Sequence, residues 1–314
     1  MSLRIKIKQA VKIVADAIEN FVINVGDTIG GAMEMVGDAN NDALNWFGKI
    51  IGAKPFFAWL GGIIKGVFSI IGVIIKGAFG IIAGIIGSFI KIFAGIITFE
   101  FSLILESLWD ISSPMIGTII IGIAKIISLI QSFFYAQDFE RPLAEDEKAK
   151  LSIVYKNSLN YYVIRIIEGH SGLFGISSRP FTLGNTIYTK SSSFSIDVLI
   201  HESTHVWQYQ QTGNRYASDA IAAQWFIKDG YNWEKEIKDR NKTNWQDFNK
   251  EAQAGFIEDL WVFGVLRDVA ETIIQSQSGS FFTANNTSSF GYFEVHGKNY
   301  STLANEAVIT IENS

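Results

Sequence analysis

Residues 201–205 read His-Glu-Ser-Thr-His. On a helix, histidines at i and i+4 lie on one face about a turn apart. Two imidazoles so placed supply two of the three protein ligands of a catalytic zinc, and Glu202 falls beside the metal, where a carboxylate can serve as general base toward a water. The reaction this pattern suits is hydrolysis of a peptide bond. The plainer alternative is a pair of ordinary hydrogen-bonded helix histidines, yet the chain holds only four histidines and two of them fall at this spacing. There is no cysteine, so a metal must be held by histidines and carboxylates, and disulfides and thiol nucleophiles are excluded.

A third ligand must come from farther along the chain, because positions 208 and 211 are both glutamine. Residues 249–259, Asn-Lys-Glu-Ala-Gln-Ala-Gly-Phe-Ile-Glu-Asp, offer Glu251 and, seven positions on and close to the same helix face, Glu258. Small neighbours at Ala252, Ala254 and Gly255 favour Glu251 by letting its helix lie close to the motif helix. Glu258 is the alternative ligand, and either Glu258 or Asp259 could instead orient a histidine from behind. Acyl transfer also needs a donor toward the developing oxyanion. His296 is the first candidate, with His170, Tyr188 and Tyr216 as alternatives. Asn185 and Tyr188, with the backbone of 182–188, are candidates for holding an extended peptide by strand addition.

These residues need rigid elements. Val198, Leu199 and Ile200 before the motif and Val206 and Trp207 after it predict a helix over 196–211, with Gly213 as its C-terminal stop. Further helices are expected at 215–228 and 245–275, and a charged surface helix within 136–150. Aromatic and β-branched runs at 161–167 and 186–189 read as strands. Strands followed by helices make residues 136–314 an α+β domain.

Residues 1–135 are of another kind, an all-α, glycine-rich hydrophobic region. Apolar positions over 3–50 recur at helical spacing, with breaks expected at Gly30-Gly31 and at 38–42. Segment 57–134 carries only Lys65, Lys76, Lys91, Glu100, Glu106, Asp110 and Lys125 as charged residues. The Gly62/Gly66 and Gly80/Gly84 spacings suit close helix approach, and the three lysines of 65–91 fall on one side of a helix. Ser113-Pro114 reads as the start of a second apolar helix, 115–134, after an interruption at 106–110. The longest uncharged runs, 77–90 and 111–124, fall short of the roughly 18 residues of a confident membrane span. Two readings stand: a hairpin that engages a membrane, or a helical unit buried against itself or against a secretion-apparatus or chaperone partner.

Bulk properties exclude some classes. The 314 residues are 48% hydrophobic and 18% charged, with net charge −5; the pI of about 5.5 leaves no basic footprint for nucleic acid. The N-terminus is basic, but Lys12, Asp16 and Glu19 interrupt the apolar stretch after it, so a Sec signal peptide is not expected.

Four blocks resemble a known family: Arg141-Pro142-Leu143 with Glu147, Val163 to Ile166, Phe181 to Tyr188, and Leu199 to Gln208. Together they are similar to the metallopeptidase domain found among effectors and toxins of bacterial extracellular contractile injection systems. The resemblance implies a zincin-type fold with His201 and His205 on zinc, Glu202 as base, and the 181–188 strand as the sheet edge above the cleft. It also implies a zinc-dependent endopeptidase, secreted or injected as an effector and acting on a protein or peptide substrate. The alternative expectation is a membrane-perturbing, pore-forming toxin whose zinc site is structural or self-processing.

Overall fold

The computed structural model describes residues 3–138, 140–169, 171–191, 193–285 and 288–314. It is a mixed α+β protein, predominantly helical, in two compact units. The first comprises residues 1–140, 167–176 and 209–219; the second comprises 141–166, 177–208 and 220–314. The division therefore differs from a single cut between 135 and 136, because two short later segments join the helical unit.

The first unit is built on α1 (Leu3–Ile50), α2 (Lys54–Thr98) and α3 (Phe101–Phe133). The breaks expected at Gly30-Gly31 and 38–42 are absent: α1 is one helix of 48 residues. Gly30 serves close approach instead, since a Cβ there would lie 2.6 Å from Lys76 Cγ and 2.7 Å from the Gly72 carbonyl oxygen. The second apolar helix likewise does not begin at Ser113-Pro114. The turn comes earlier, at Phe99 and Glu100, with Phe99 in the left-handed region at φ 54°. Pro114 lies inside α3, where its missing N–H leaves the Asp110 carbonyl without its usual helical partner. That carbonyl faces α2, and a Cβ on Gly84 would come within 2.1 Å of it.

β1 (Arg141–Pro142), β2 (Arg165–Glu168), β3 (Phe181–Leu183) and β4 (Thr186–Thr189) form a sheet in the order β1-β2-β4-β3, all of it in the second unit except the last two residues of β2. The strand expected over 161–167 begins instead as a tight helical turn at Tyr161–Val163, whose N-terminus Asn160 caps by accepting from the Tyr162 N–H. Arg141 forms a two-pronged ion pair with Glu147 at 2.8 Å through each nitrogen, which ties β1 to α4 (Glu145–Tyr155). α5 (Ile196–Thr212) carries the motif; its residues through Gln208 belong to this unit, and its last turn to the first. Gly213, at φ 60°, comes directly after it as expected.

After α6 (Arg215–Phe226) and α7 (Trp233–Lys238) comes α8 (Lys250–Phe263), capped by Asn249. The helix expected over 245–275 is thus shorter. Its second half is the β5 (Val265–Asp268) and β6 (Ile273–Gln275) hairpin, and β5 also pairs with β7 (Ser289–Tyr292). The small β8 (Glu294–Val295) and β9 (Lys298–Asn299) ribbon and α9 (Ser301–Glu312) complete the unit. Its core joins Leu151, Ile166, Ile200, Trp245, Phe256 and Phe293, all essentially fully buried.

Candidate metal centre

α5 is held from behind before it presents anything in front. The buried Tyr155 hydroxyl of α4 donates to the Ile200 carbonyl at 2.8 Å and lies 2.7 Å from Thr204 Oγ1. Leu199, Ile200 and Val206 sit in the core, so the helix cannot rotate without exposing them. Its other face is fixed by this packing, and it carries His201, Glu202 and His205.

The two imidazoles stand edge to face with centroids 5.0 Å apart. Opposite them α8 brings Glu251, whose side chain is 2% exposed, with Oε2 3.3 Å from His205 Nε2 and 3.7 Å from His201 Nε2. Ligands about 2.0–2.1 Å from a tetrahedral zinc are separated from one another by about 3.3–3.4 Å; the His205–Glu251 separation of 3.3 Å matches this, and the His201–Glu251 separation of 3.7 Å is somewhat wider. One ligand atom from each of His201, His205 and Glu251 lies within 4.8 Å of the others. Two nitrogens and a carboxylate oxygen are a donor set that zinc accepts.

The remaining atoms of these side chains are engaged in ways that aim them. His201 Nδ1 faces Glu258 Oε2 at 2.8 Å, and His205 Nδ1 faces Gln208 Oε1 at 2.8 Å. Were a metal to displace the Nε2 protons, each Nδ1–H would still donate to these acceptors and leave the Nε2 lone pairs for the ion, the arrangement usual behind metal-bound histidines. Gln208 is itself anchored, donating to the Lys250 carbonyl and to Gln253 Oε1, both at 2.9 Å. Gln224 of α6 donates to Glu251 Oε1 at 2.7 Å, leaving Oε2 for the histidines. Glu258 thus stands behind His201, while Asp259 is taken by Trp233 Nε1 at 2.7 Å.

Glu202 is 5% exposed and accepts from Thr182 Oγ1 of β3 at 2.8 Å. Burial pushes its carboxyl above the usual range, against the pull of His201 and His205. Burial would likewise lower His201, but its hydrogen bonds to Glu251 and Glu258 prevail and hold it up to about 10. Glu251 is moved the other way: the charge of His205 and the hydrogen bonds from both histidines and Gln224 outweigh burial and bring it well below the carboxylate range.

Other candidates from the sequence fall elsewhere. His296 is at the β8–β9 turn, 77% exposed, and faces Glu234 at 3.4 Å instead of the metal-ligand group. His170 lies outside the described residues. Tyr188 is buried and stacks on Phe181 with centroids 4.8 Å apart, and Tyr216 is buried within the first unit. Asn185 is buried in the β3–β4 turn, its carbonyl accepting from the Arg165 N–H at 2.9 Å. Neither it nor Tyr188 presents an open side chain, and β3 is one edge of this sheet, with β1 the other. The tyrosine that responds to the charges of both Glu251 and Glu202 is Tyr231, in the loop before α7, its phenol raised to about 12, chiefly by burial. Its main-chain oxygen abuts Gly255 of α8, and the Arg179 guanidinium stands 5.5 Å over its ring. Thr182 and Gln224 could not be singled out from sequence, since each reaches the centre only through tertiary packing. Gln208 could have been, as a polar residue one turn past His205.

Compared with protein-family models, curated proteins and solved structures, the chain matches none.

Proposed function

We propose that the chain is a zinc-dependent endopeptidase with a zincin-like catalytic domain, delivered as a bacterial effector. The observation that carries the reading is the convergence of His201 Nε2, His205 Nε2 and Glu251 Oε2, with the buried Glu202 carboxylate on the same helix. His201, His205 and Glu251 would hold the zinc, which when bound supplies a Lewis acid for water and for the peptide carbonyl. Glu202 takes the proton of the attacking water and passes it to the leaving amine; its raised affinity for protons suits both transfers. The Thr182 hydroxyl fixes the carboxylate that does this. β3, an edge strand of its sheet, offers its backbone to an extended peptide, and Tyr231, which stays protonated at neutral pH, is the candidate donor to the oxyanion.

The test is Glu202→Gln in the full chain. Stoichiometric zinc in both proteins, with hydrolysis of a broad peptide library by the unmutated chain alone, is the expected result. No zinc in the unmutated protein by elemental analysis, or equal hydrolysis by the variant, overturns the proposal.

A second reading, in which membrane engagement by residues 57–134 does the damage and the metal site processes the chain itself, is favoured by the length and apolar character of α2 and α3. Undiminished toxicity of Glu202→Gln toward target cells would favour it.

A further inference from the structure

The helical unit has its polarity reversed. Between Val67 and Ile97 every exposed residue of α2 is apolar, including Ile74, Ile82, Phe89 and Phe93. From Met115 to Phe133 the same holds for α3, with Met115, Ile119 and Ile123 most exposed. Apart from Val73 and Ile121, what these stretches bury is small or polar: Gly84, Ser88 and Lys91 on α2, Lys125, Ser128 and Gln131 on α3. Water-soluble bundles arrange their residues the other way.

The buried charges are answered by a ladder along α1. Lys65 pairs with Asp38 at 3.1 Å, Lys76 with Glu34 at 3.2 Å, and Lys91 with Glu19 at 3.1 Å and Asp16 at 3.3 Å. Lys91 also meets Asp110 of α3 at 2.8 Å, and Arg215 binds the other oxygen of Asp110 at 2.8 Å. Lys125 faces Glu140 at 3.8 Å. The exposed charges of α2 and α3 are Lys54 at the start of α2 and Glu106 close to the turn between the helices. The basic stripe legible in the sequence is therefore an internal, neutralised one.

We infer that the outer face of α2 and α3 lies against the hydrocarbon of a lipid bilayer, with α1 inside the same unit as the built-in counter-charge that lets the lysines enter it. Ionisable residues within a bilayer face the bundle interior and pair there, and small residues let the helices close on one another. A protein partner would need a hydrogen bond for about every 100–200 Å² of interface. These stretches of α2 and α3 present no exposed polar side chain to make one, and hydrocarbon asks for none. The inference deepens the membrane reading of residues 57–134 and is independent of the peptidase reading.

The absence of cysteine makes the test direct. Single nitroxide labels are placed on the full chain at Ile74→Cys and Ile119→Cys, outward, and at Ser88→Cys, inward, and each protein is reconstituted from detergent into phosphatidylcholine vesicles. Expected are co-flotation with the vesicles, frequent collision of the outward labels with oxygen and rare collision with a water-soluble nickel complex, and shielding of the inward label from both. Should Ser88→Cys fail to fold, the two outward labels decide alone. Chain that does not float overturns both this inference and the membrane reading. Chain that floats while its outward labels meet nickel overturns the inference and leaves membrane association standing. Outward labels shielded from both reagents show a face covered by protein, such as a second copy, and also overturn it.

Discussion

Glu258 makes the sharpest test of how the metal centre is aimed. Its carboxylate is 31% exposed and 2.8 Å from His201 Nδ1, so it is positioned to fix the tautomer and strengthen the opposite nitrogen as a donor without itself reaching the ligand group. Loss of such a partner usually weakens metal binding 10–100-fold, or about 1.4–2.7 kcal/mol. Glu258→Ala is expected to lose zinc affinity in that range, and Glu258→Gln, which keeps a neutral acceptor, to fall nearer its low end. Competition titration against a chromogenic zinc chelator at pH 7 reads the effect. Asp259→Asn is the control, since its neighbour Trp233 is no part of the centre. It should bind zinc normally while melting at a lower temperature. Unchanged affinity in Glu258→Ala refutes the reasoning. Outright loss of zinc from Glu258→Ala, with zinc retained by Glu251→Ala, would show that the two carboxylates have been given each other's roles.

Three further outcomes are expected. Tyr231→Phe should lower kcat by about 10²–10³ with KM little changed, as loss of one oxyanion donor does; steady-state kinetics on a cleaved library peptide checks it, and an unaltered kcat removes Tyr231 from the mechanism. Gly84→Ala should destabilise the helical unit by about 1–3 kcal/mol through the clash with the Asp110 carbonyl, whereas Gly31→Ala, where a Cβ meets nothing within 4 Å, should stabilise it by about 1 kcal/mol; thermal melts followed by circular dichroism compare them. His201, raised from 6.5 to about 10, holds a proton that zinc must displace. Zinc affinity should therefore rise with pH through that window and binding should release protons, which calorimetry in two buffers of different ionisation enthalpy will detect. By the same linkage, the zinc-free chain keeps the full contribution of protonated His201 below pH 6.5 and loses it as the pH climbs to about 10.

The metal centre is more legible in the sequence than the scaffold around it. The spacing of His201 and His205 and the small residues beside Glu251 are local facts, and local facts survive folding. The helix ends that differ from expectation depend on partners far along the chain. Residues 265–268 look helical by their neighbours, but become a strand because 289–292 pair with them. Gly30-Gly31 and Pro114 carry the residue types that end helices, yet α1 and α3 run through them, with Gly30 closing onto α2 and Pro114 turning a carbonyl toward Gly84. The lysines of α2 can be placed on one side of a helix, but their acidic partners lie on another helix, in a register that spacing on one helix does not reveal.

At the turn between α2 and α3, Phe99 holds a left-handed backbone that costs a non-glycine residue roughly 1–2 kcal/mol, and its ring is 88% exposed. Phe101, just beyond, is 69% exposed. Glycine at 99 would relax the strain and give up almost no buried surface, so the aromatic ring adds nothing to folding. The hairpin ends in a blunt aromatic apex, and the worth of that apex is set by what it first touches outside the chain.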